Sequence, residues 1–188
     1  MRSRPRKRRP ERSGPGAPGA GAEGPGGDDA AANAAGLADP KALRVAASGL
    51  LARRDYPRGE LRARLLDQGF DAGAVDELLA AFVEQRLVDD VRYAERFVAY
   101  HAARGRGPAR LRRELAELGI EEPLIQQALE AGPDWAALAR ELRVRKFGPR
   151  APAAWAEKAR QARFLQYRGF STDHIRSALG ADDLDLDP

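Results

Sequence analysis

Two histidines, His101 and His174, and one acidic pair, Asp89-Asp90, are the residues of this 188-residue chain best suited to chemistry. Neither histidine belongs to a metal-ligand pattern. Both fall inside segments of helical apolar spacing, the chain has no cysteine, and no H-E-x-x-H spacing occurs. Asp89-Asp90 lies between two such segments, where one member serves as a helix N-cap, so paired-carboxylate acid–base work is not expected there. The spacing G-x-G-x-x-G occurs at Gly14-Gly16-Gly19 and at Gly19-Gly21-Gly24. Neither run follows a strand or opens a helix, which a dinucleotide site requires. With no G-x-S-x-G elbow and no phosphate-binding loop, the chain is expected to bind a partner, not to catalyse, and to need no cofactor or metal.

The chemistry that remains is cationic. Arg53 and Arg54, then Arg104, Arg106, Arg110 and Arg113, then Arg143, Arg145, Lys146, Arg160 and Arg163 form three groups, with Arg58, Arg62, Arg64 and Arg112 alongside them. A single long arginine usually solvates a helix surface or bridges a nearby acid. Recurrence at one place in successive units instead predicts a continuous basic stripe, suited to an extended, charged partner such as a nucleoprotein filament. The eleven residues of the three groups are the candidate contacts. Trp135 and Trp155 have the rings to stack nucleobases, yet both adjoin an apolar helix face, and core packing is expected for them.

The elements that position these residues follow from a period of 50. Leu65, Leu115 and Leu165 each stand four residues before Gly69, Gly119 and Gly169. The glycines are followed by Phe70, Ile120 and Phe170, then by Asp71, Glu121 and Ser171, with Val75, Ile125 and Ile175 and then Leu79, Leu129 and Leu179 further on. A glycine in the left-handed conformation closes a helix, the next apolar residue folds back onto the leucine, and the following polar residue caps the next helix. Glu121 is the poorer cap. A further helix precedes each pair, starting at Asp39-Pro40, at Asp90 and at Asp134. Its apolar face reads Leu43, Ala46, Ala47, Leu50 and Leu51 in the first unit, Tyr93, Phe97, Tyr100 and His101 in the second, and Trp135, Leu138 and Leu142 in the third. The fold is therefore expected to be all-α: three tandem three-helix repeats over 37–86, 87–132 and 133–180, in an elongated, curved array.

Outside the repeats the composition changes. Residues 1–36 hold eight Gly, eight Ala and five Pro, too little apolar side chain to offset folding entropy, so a disordered tail with a basic start is expected. Residues 181–188 form an acidic tail. Between the tails, 25 Lys/Arg face 20 Asp/Glu, a mild basic excess. No segment has the length of a membrane span or the apolar run of a secretory signal, which predicts a cytoplasmic location. A helix–turn–helix DNA reader is disfavoured by charge. Its second helix would offer Asp76, Glu77 and Glu84, or Glu122, Gln126, Gln127 and Glu130, to the phosphates.

Three segments in order then resemble one family. Leu87-Val88-Asp89-Asp90-Val91-Arg92-Tyr93-Ala94-Glu95-Arg96-Phe97 is similar to the central motif of the bacterial RecX regulatory proteins. Arg104-Gly105-Arg106-Gly107-Pro108 with Leu111-Arg112-Arg113-Glu114-Leu115 extends the likeness, as does Lys158-Ala159-Arg160-Gln161-Ala162-Arg163-Phe164-Leu165 running into Arg168-Gly169-Phe170. The resemblance spans residues 41–180. It implies tandem three-helix repeats, binding along the RecA–DNA filament, and suppression of recombinase, ATPase and co-protease activities without catalysis. The chain departs from the pattern at Pro57, where a Ser or Thr cap is expected, and at Pro149 and Pro152. A monomer with the RecA filament as partner, and no membrane association, is the resulting expectation. Contact with single- or double-stranded DNA stays open, as do the alternatives of a DNA-binding protein that uses the stripe directly and a helical scaffold for another repair factor.

Overall fold

The computed structural model describes residues 39–180, and the expected tails over 1–36 and 181–188 lie outside the described residues. These described residues form nine α-helices and no strand: α1 (Pro40–Leu51), α2 (Arg58–Asp67), α3 (Ala72–Glu84), α4 (Asp90–Ala102), α5 (Pro108–Glu117), α6 (Glu122–Glu130), α7 (Trp135–Phe147), α8 (Trp155–Tyr167) and α9 (Thr172–Leu179). Every extensive helix–helix contact stays inside a triplet, α1–α3, α4–α6 or α7–α9. Three separate buried clusters follow the same division.

The turns obey the spacing that predicts them. Gly69, Gly119 and Gly169 take φ of 92°, 80° and 91°. Past each glycine the chain doubles back: the N–H groups of Phe70, Ile120 and Phe170 donate to the carbonyls of Leu65, Leu115 and Leu165 at 3.3, 3.2 and 3.2 Å. The left-handed residue thus closes one helix and lays its apolar successor on the core leucine. Both members of each pair are buried, together with Val75, Ile125, Ile175, Leu79, Leu129 and Leu179.

Helix starts divide into two kinds. Asp39, Asp71, Asp89, Asp134 and Ser171 cap their helices by accepting from a backbone N–H in the first turn. The cap of α4 is Asp89, and Asp90 is its first helical residue. By contrast α6 begins at Glu121, the poorer cap, without a side-chain cap, as do the middle helices α2, α5 and α8 at Pro57, Gly107 and Ala154. For α2 and α5 the next unit supplies the missing acceptors. Arg58 N–H donates to the Asp90 carboxylate at 2.8 Å, while Gly107 N–H and Ala109 N–H donate to the carbonyls of Arg168 and Gly169 at 2.7 and 3.0 Å. Pro57 is tolerated where a Ser or Thr cap is expected because the acceptor arrives from outside its own unit. Burial pushes the Asp90 carboxyl above its ordinary value, against the pull of Arg58.

The third unit carries polar residues at two positions that are apolar in the second. Gln161 stands where the period places Leu61 and Leu111, and it is 1% exposed. Arg143 is the ninth residue of α7, as Val98 is of α4, and it is 6% exposed. Its guanidinium donates to the carbonyls of Arg150 and Pro149 at 3.0 and 3.4 Å, holding the proline-bearing 148–154 loop against the helices. The Arg143 Nε donor and the Gln161 Oε1 acceptor have no partner among the described residues. Replacing Gln161 by Leu is expected to stabilise the protein by about 1 kcal/mol, since it removes a buried unpaired acceptor at similar volume. Arg143→Met should act the other way, by about 1–3 kcal/mol, by leaving two loop carbonyls without a donor. Urea titration of both variants checks the pair, and a neutral Arg143→Met would show those carbonyls to be hydrated.

Candidate partner-binding surface

On α4 the buried face is rotated by about one residue from the expected one. Ala94, Val98 and Ala102 fill the core, their small side chains letting α4 lie close against α6. Tyr93, Phe97 and His101 are left half-buried on the rim and Tyr100 is 54% exposed. They form a row of rings, with centroids 6.1 Å apart for Tyr93 and Phe97, 4.2 Å for Phe97 and His101, and 5.0 Å for Tyr100 and His101.

Arginines border this row on both sides. The 53–57 joint brings the Arg54 guanidinium 3.7 Å over the Tyr56 ring, with Arg64 at 5.5 Å from the same ring. Glu60 accepts from both arginines. Arg96 pairs with Asp55 at 2.7 Å, bridging α4 to the first unit. Arg104 lies 3.3 Å over the Tyr100 ring and donates to the Tyr100 carbonyl at 3.0 Å. Arg106 and Arg110 both bind Glu114, at 2.6 and 2.8 Å. Between these groups opens a cavity of about 590 Å³ lined by Arg54, Asp55, Tyr93, Arg96, Phe97, Tyr100 and His101. The Glu60 and Glu114 carboxylates each serve two arginines, so each cluster keeps a surplus positive charge.

Electrostatics within the face are consistent with that surplus. Burial alone would raise the Glu114 carboxyl, but hydrogen bonds from Arg110 and Arg106 outweigh it and hold the group below its ordinary value. Burial lowers the His101 imidazole, and the nearby Arg106, Arg104 and Arg110 add to the effect. Its folded pKa therefore lies below the unfolded one, and the unfolded chain takes up the proton first as pH falls. The stability tied to neutral His101 is full above about pH 6.5 and is lost as pH drops toward the folded value. Burial lowers His174 likewise, where its Nδ1 accepts from Ser171 N–H. A His101→Phe variant should thus lose less melting temperature than the parent between about pH 7.5 and about pH 5.5. Equal losses would clear His101 of the effect.

The remaining predicted contacts divide. Arg53, Arg113, Arg145, Lys146 and Arg163 are exposed, with no carboxylate in ion-pair range among the described residues. Arg160 is exposed and makes a long 3.7 Å pair with Glu157. Arg143 is withdrawn from the surface by its bonds to the loop. Arg62 and Arg112 are neutralised across the turn, by Asp76 at 2.7 Å and by Glu122 at 2.5 Å. Repetition at one place per unit does not hold along the middle helices, because the equivalents of Arg110 and Arg160 and of Arg113 and Arg163 in α2 are Glu60 and Ala63. Trp135 packs as expected, against the second and third cores, and donates Nε1–H to the Leu129 carbonyl at 3.1 Å. Trp155, expected in the core, is 76% exposed at the start of α8. Sequence reasoning did not name Tyr56 as a contact and quoted Arg96 only within the family motif. Tyr56 sits in a joint of no regular period, and Arg96 interrupts the α4 run, so only the packing of two units reveals that they share a surface. Among the described residues no His, Cys, Asp and Glu cluster fit for a metal ion occurs, and no helix is long and apolar enough to cross a membrane.

The chain matches family models described as the first, second and third three-helix domains of RecX, over residues 44–80, 89–129 and 134–179. It is similar to a "Regulatory protein RecX" of Halorhodospira halophila, 45% identical over 146 residues that cover 77% of this chain and 91% of the relative. A protein of the same name from Pseudomonas savastanoi pv. phaseolicola is 43% identical over 148 residues, covering 77% and 96% of the two chains. In fold it resembles the crystal structure of RecX from Lactobacillus salivarius, with a TM-score of 0.66 at 19% identity, over 80% of this chain and 96% of that one.

Proposed function

The chain belongs to the RecX family of regulatory proteins, and from this we propose that it binds the RecA nucleoprotein filament and inhibits the filament's recombinase, ATPase and co-protease activities without catalysing a reaction itself. The observation that carries this reading is the arginine–aromatic face. It starts at Arg54 and Arg64 in the first unit, follows the α4 ring row, and passes Arg104, Arg106 and Arg110 in the second. Arg145 continues it in the third unit, beside the turn at Gly105, and the exposed Lys146 follows it in sequence. A face that crosses all three units and keeps surplus positive charge suits an extended polyanionic partner better than a compact one. Arg53, Arg113, Arg160 and Arg163 extend it as outlying contacts. The site of action is the cytoplasm, and the working unit is a monomer.

Cosedimentation with preformed filaments of RecA on single-stranded DNA, run beside the naked DNA, tests the proposal. Retention on the filament together with slower ATP hydrolysis is the expected result; equal retention on naked DNA without any effect on hydrolysis would favour the second reading. That second reading, direct binding of single-stranded DNA, draws support from the cavity lined by Tyr93, Phe97 and Tyr100. Aromatic faces between arginines are what unpaired bases stack upon.

A further inference from the structure

The three units share one plan, and the third keeps least of what holds the other two closed. The period places Leu61 and Leu111 in the first two cores and Gln161 in the third, where its Oε1 is buried with no partner among the described residues. Arg143 is buried in the same unit, its Nε likewise unpaired. Three of the buried side chains of that core are alanines, Ala139, Ala162 and Ala178, against Ala47 alone in the first. Ala162 also stands where Arg62 and Arg112 tie the middle helix to the one after it, at 2.7 Å to Asp76 and 2.5 Å to Glu122. The start of α8 is unsupported as well. Whereas α2 and α5 receive acceptors from the unit that follows, α8 has no side-chain cap at Ala154 and, among the described residues, no unit beyond it.

Each of these differences favours opening of the third unit and leaves the first two untouched. A buried polar atom without a partner is hydrogen-bonded by water once the unit opens, which shifts the opening equilibrium by about tenfold per atom. Smaller buried side chains remove less apolar surface from water, so closing gains less. The polar ties to the second unit include the bonds from Gly107 and Ala109 to the carbonyls of Arg168 and Gly169, and the bond from Trp135 Nε1–H to the Leu129 carbonyl. These can break while the second core stays closed, because Val98, Leu111, Leu115 and Ile125 pack on one another within that unit.

We infer that the third unit, residues 134–179, opens reversibly as a cooperative unit of its own while the first two stay folded, releasing the joint at Gly107 and Ala109. In a tandem array each unit contributes its own stability and that of its neighbouring joint, so an end unit with a weak core is the first to open. The exposed Arg145, Lys146, Arg160 and Arg163 move with it. The third unit's cations are therefore adjustable in position, whereas those of the first two are held by closed cores. The opening needs no partner, so it holds whether or not the arginine face binds a filament.

Native-state hydrogen exchange on the full chain tests this, because the period supplies matched amides. The N–H groups of Phe170 and Ile175 donate to Leu165 and Ser171, as those of Phe70 and Val75 do to Leu65 and Asp71 and those of Ile120 and Ile125 to Leu115 and Glu121. Corrected for intrinsic rates, Phe170 and Ile175 should exchange about 100-fold faster than the other four, tenfold for each unpaired polar atom. Gly107 and Ala109, although in the second unit, should exchange with the third. Gln161→Leu should slow Phe170, Ile175, Gly107 and Ala109 by about fivefold and leave Phe70 and Ile120 unchanged. Equal protection of the matched amides overturns the inference, as does a Gln161→Leu variant that slows all of them alike or none. Fast exchange at Phe170 and Ile175 with Gly107 and Ala109 still protected overturns it too, since only the turn would then be opening. A second readout needs no amide assignment. Both tryptophans of the chain, Trp135 and Trp155, stand in the third unit, so their emission follows that unit while far-UV circular dichroism follows every helix. In a urea titration the emission should change first, and coincident transitions would show that the three units unfold together.

Discussion

Gly169→Ala is expected to destabilise the protein by about 2–5 kcal/mol and to loosen the third unit from the second. Two separate costs fall on this one position. A φ of 91° strains any residue with a Cβ, by roughly 1–2 kcal/mol. The added Cβ would also lie 2.4 Å from the Arg110 Cβ and 2.7 Å from the Arg110 nitrogen, an overlap with the α5 backbone that costs about 1–3 kcal/mol more. Gly119→Ala shares the first cost at φ 80°, but its Cβ would come only to 3.1 Å from the Gly59 Cα. The ordering Gly169→Ala worse than Gly119→Ala is therefore the sharper expectation. Denaturant titration gives the magnitudes, and hydrogen exchange at Gly107 and Ala109, whose N–H groups bond across the joint, locates the damage. Equal losses for the two variants would mean that the close approach of the units adds nothing.

Reversing Arg104, Arg113 and Arg145 together to Glu should weaken filament binding by roughly 100-fold, taking about 1 kcal/mol for each reversed surface charge. The slope of log affinity against log salt should fall by about 3 if each arginine neutralises one phosphate. These three are chosen because no described carboxylate pairs with them, so their reversal leaves the fold in place. Arg106 is a poorer choice: a glutamate there would face Glu114, and loss of melting temperature would be confused with loss of binding. Inhibition of RecA-driven ATP hydrolysis should fall in parallel with affinity. Undiminished inhibition at every salt concentration would move the contact to another surface, with the acidic helices α3 and α6 the next to test.

The period of 50 made the fold legible because it rests on local chemistry. A glycine after a helix end, an apolar residue beyond it and a leucine one turn inside form a unit whose geometry needs no distant residue. Leu65 with Phe70, Leu115 with Ile120 and Leu165 with Phe170 accordingly stand where the spacing put them. The α4 face was harder to read. Tyr93, Phe97, Tyr100 and His101 recur at helical spacing as well as Ala94, Val98 and Ala102 do, and choosing between the two stripes depends on how closely α6 approaches.

By itself the sequence determined the helix triplets, their turns and the wealth of arginine, since these depend on residues within about one helical turn of each other. Tertiary structure alone decided what the arginines do. Glu60 and Glu114 each draw in two of them, Asp76 and Glu122 neutralise Arg62 and Arg112, loop carbonyls bury Arg143, and Arg145 reaches the Gly105 turn of the second unit. A long flexible cation has no preferred partner along the chain. Its role is fixed only when folding brings carboxylates, rings or carbonyls within its reach, and leaves some guanidiniums with none.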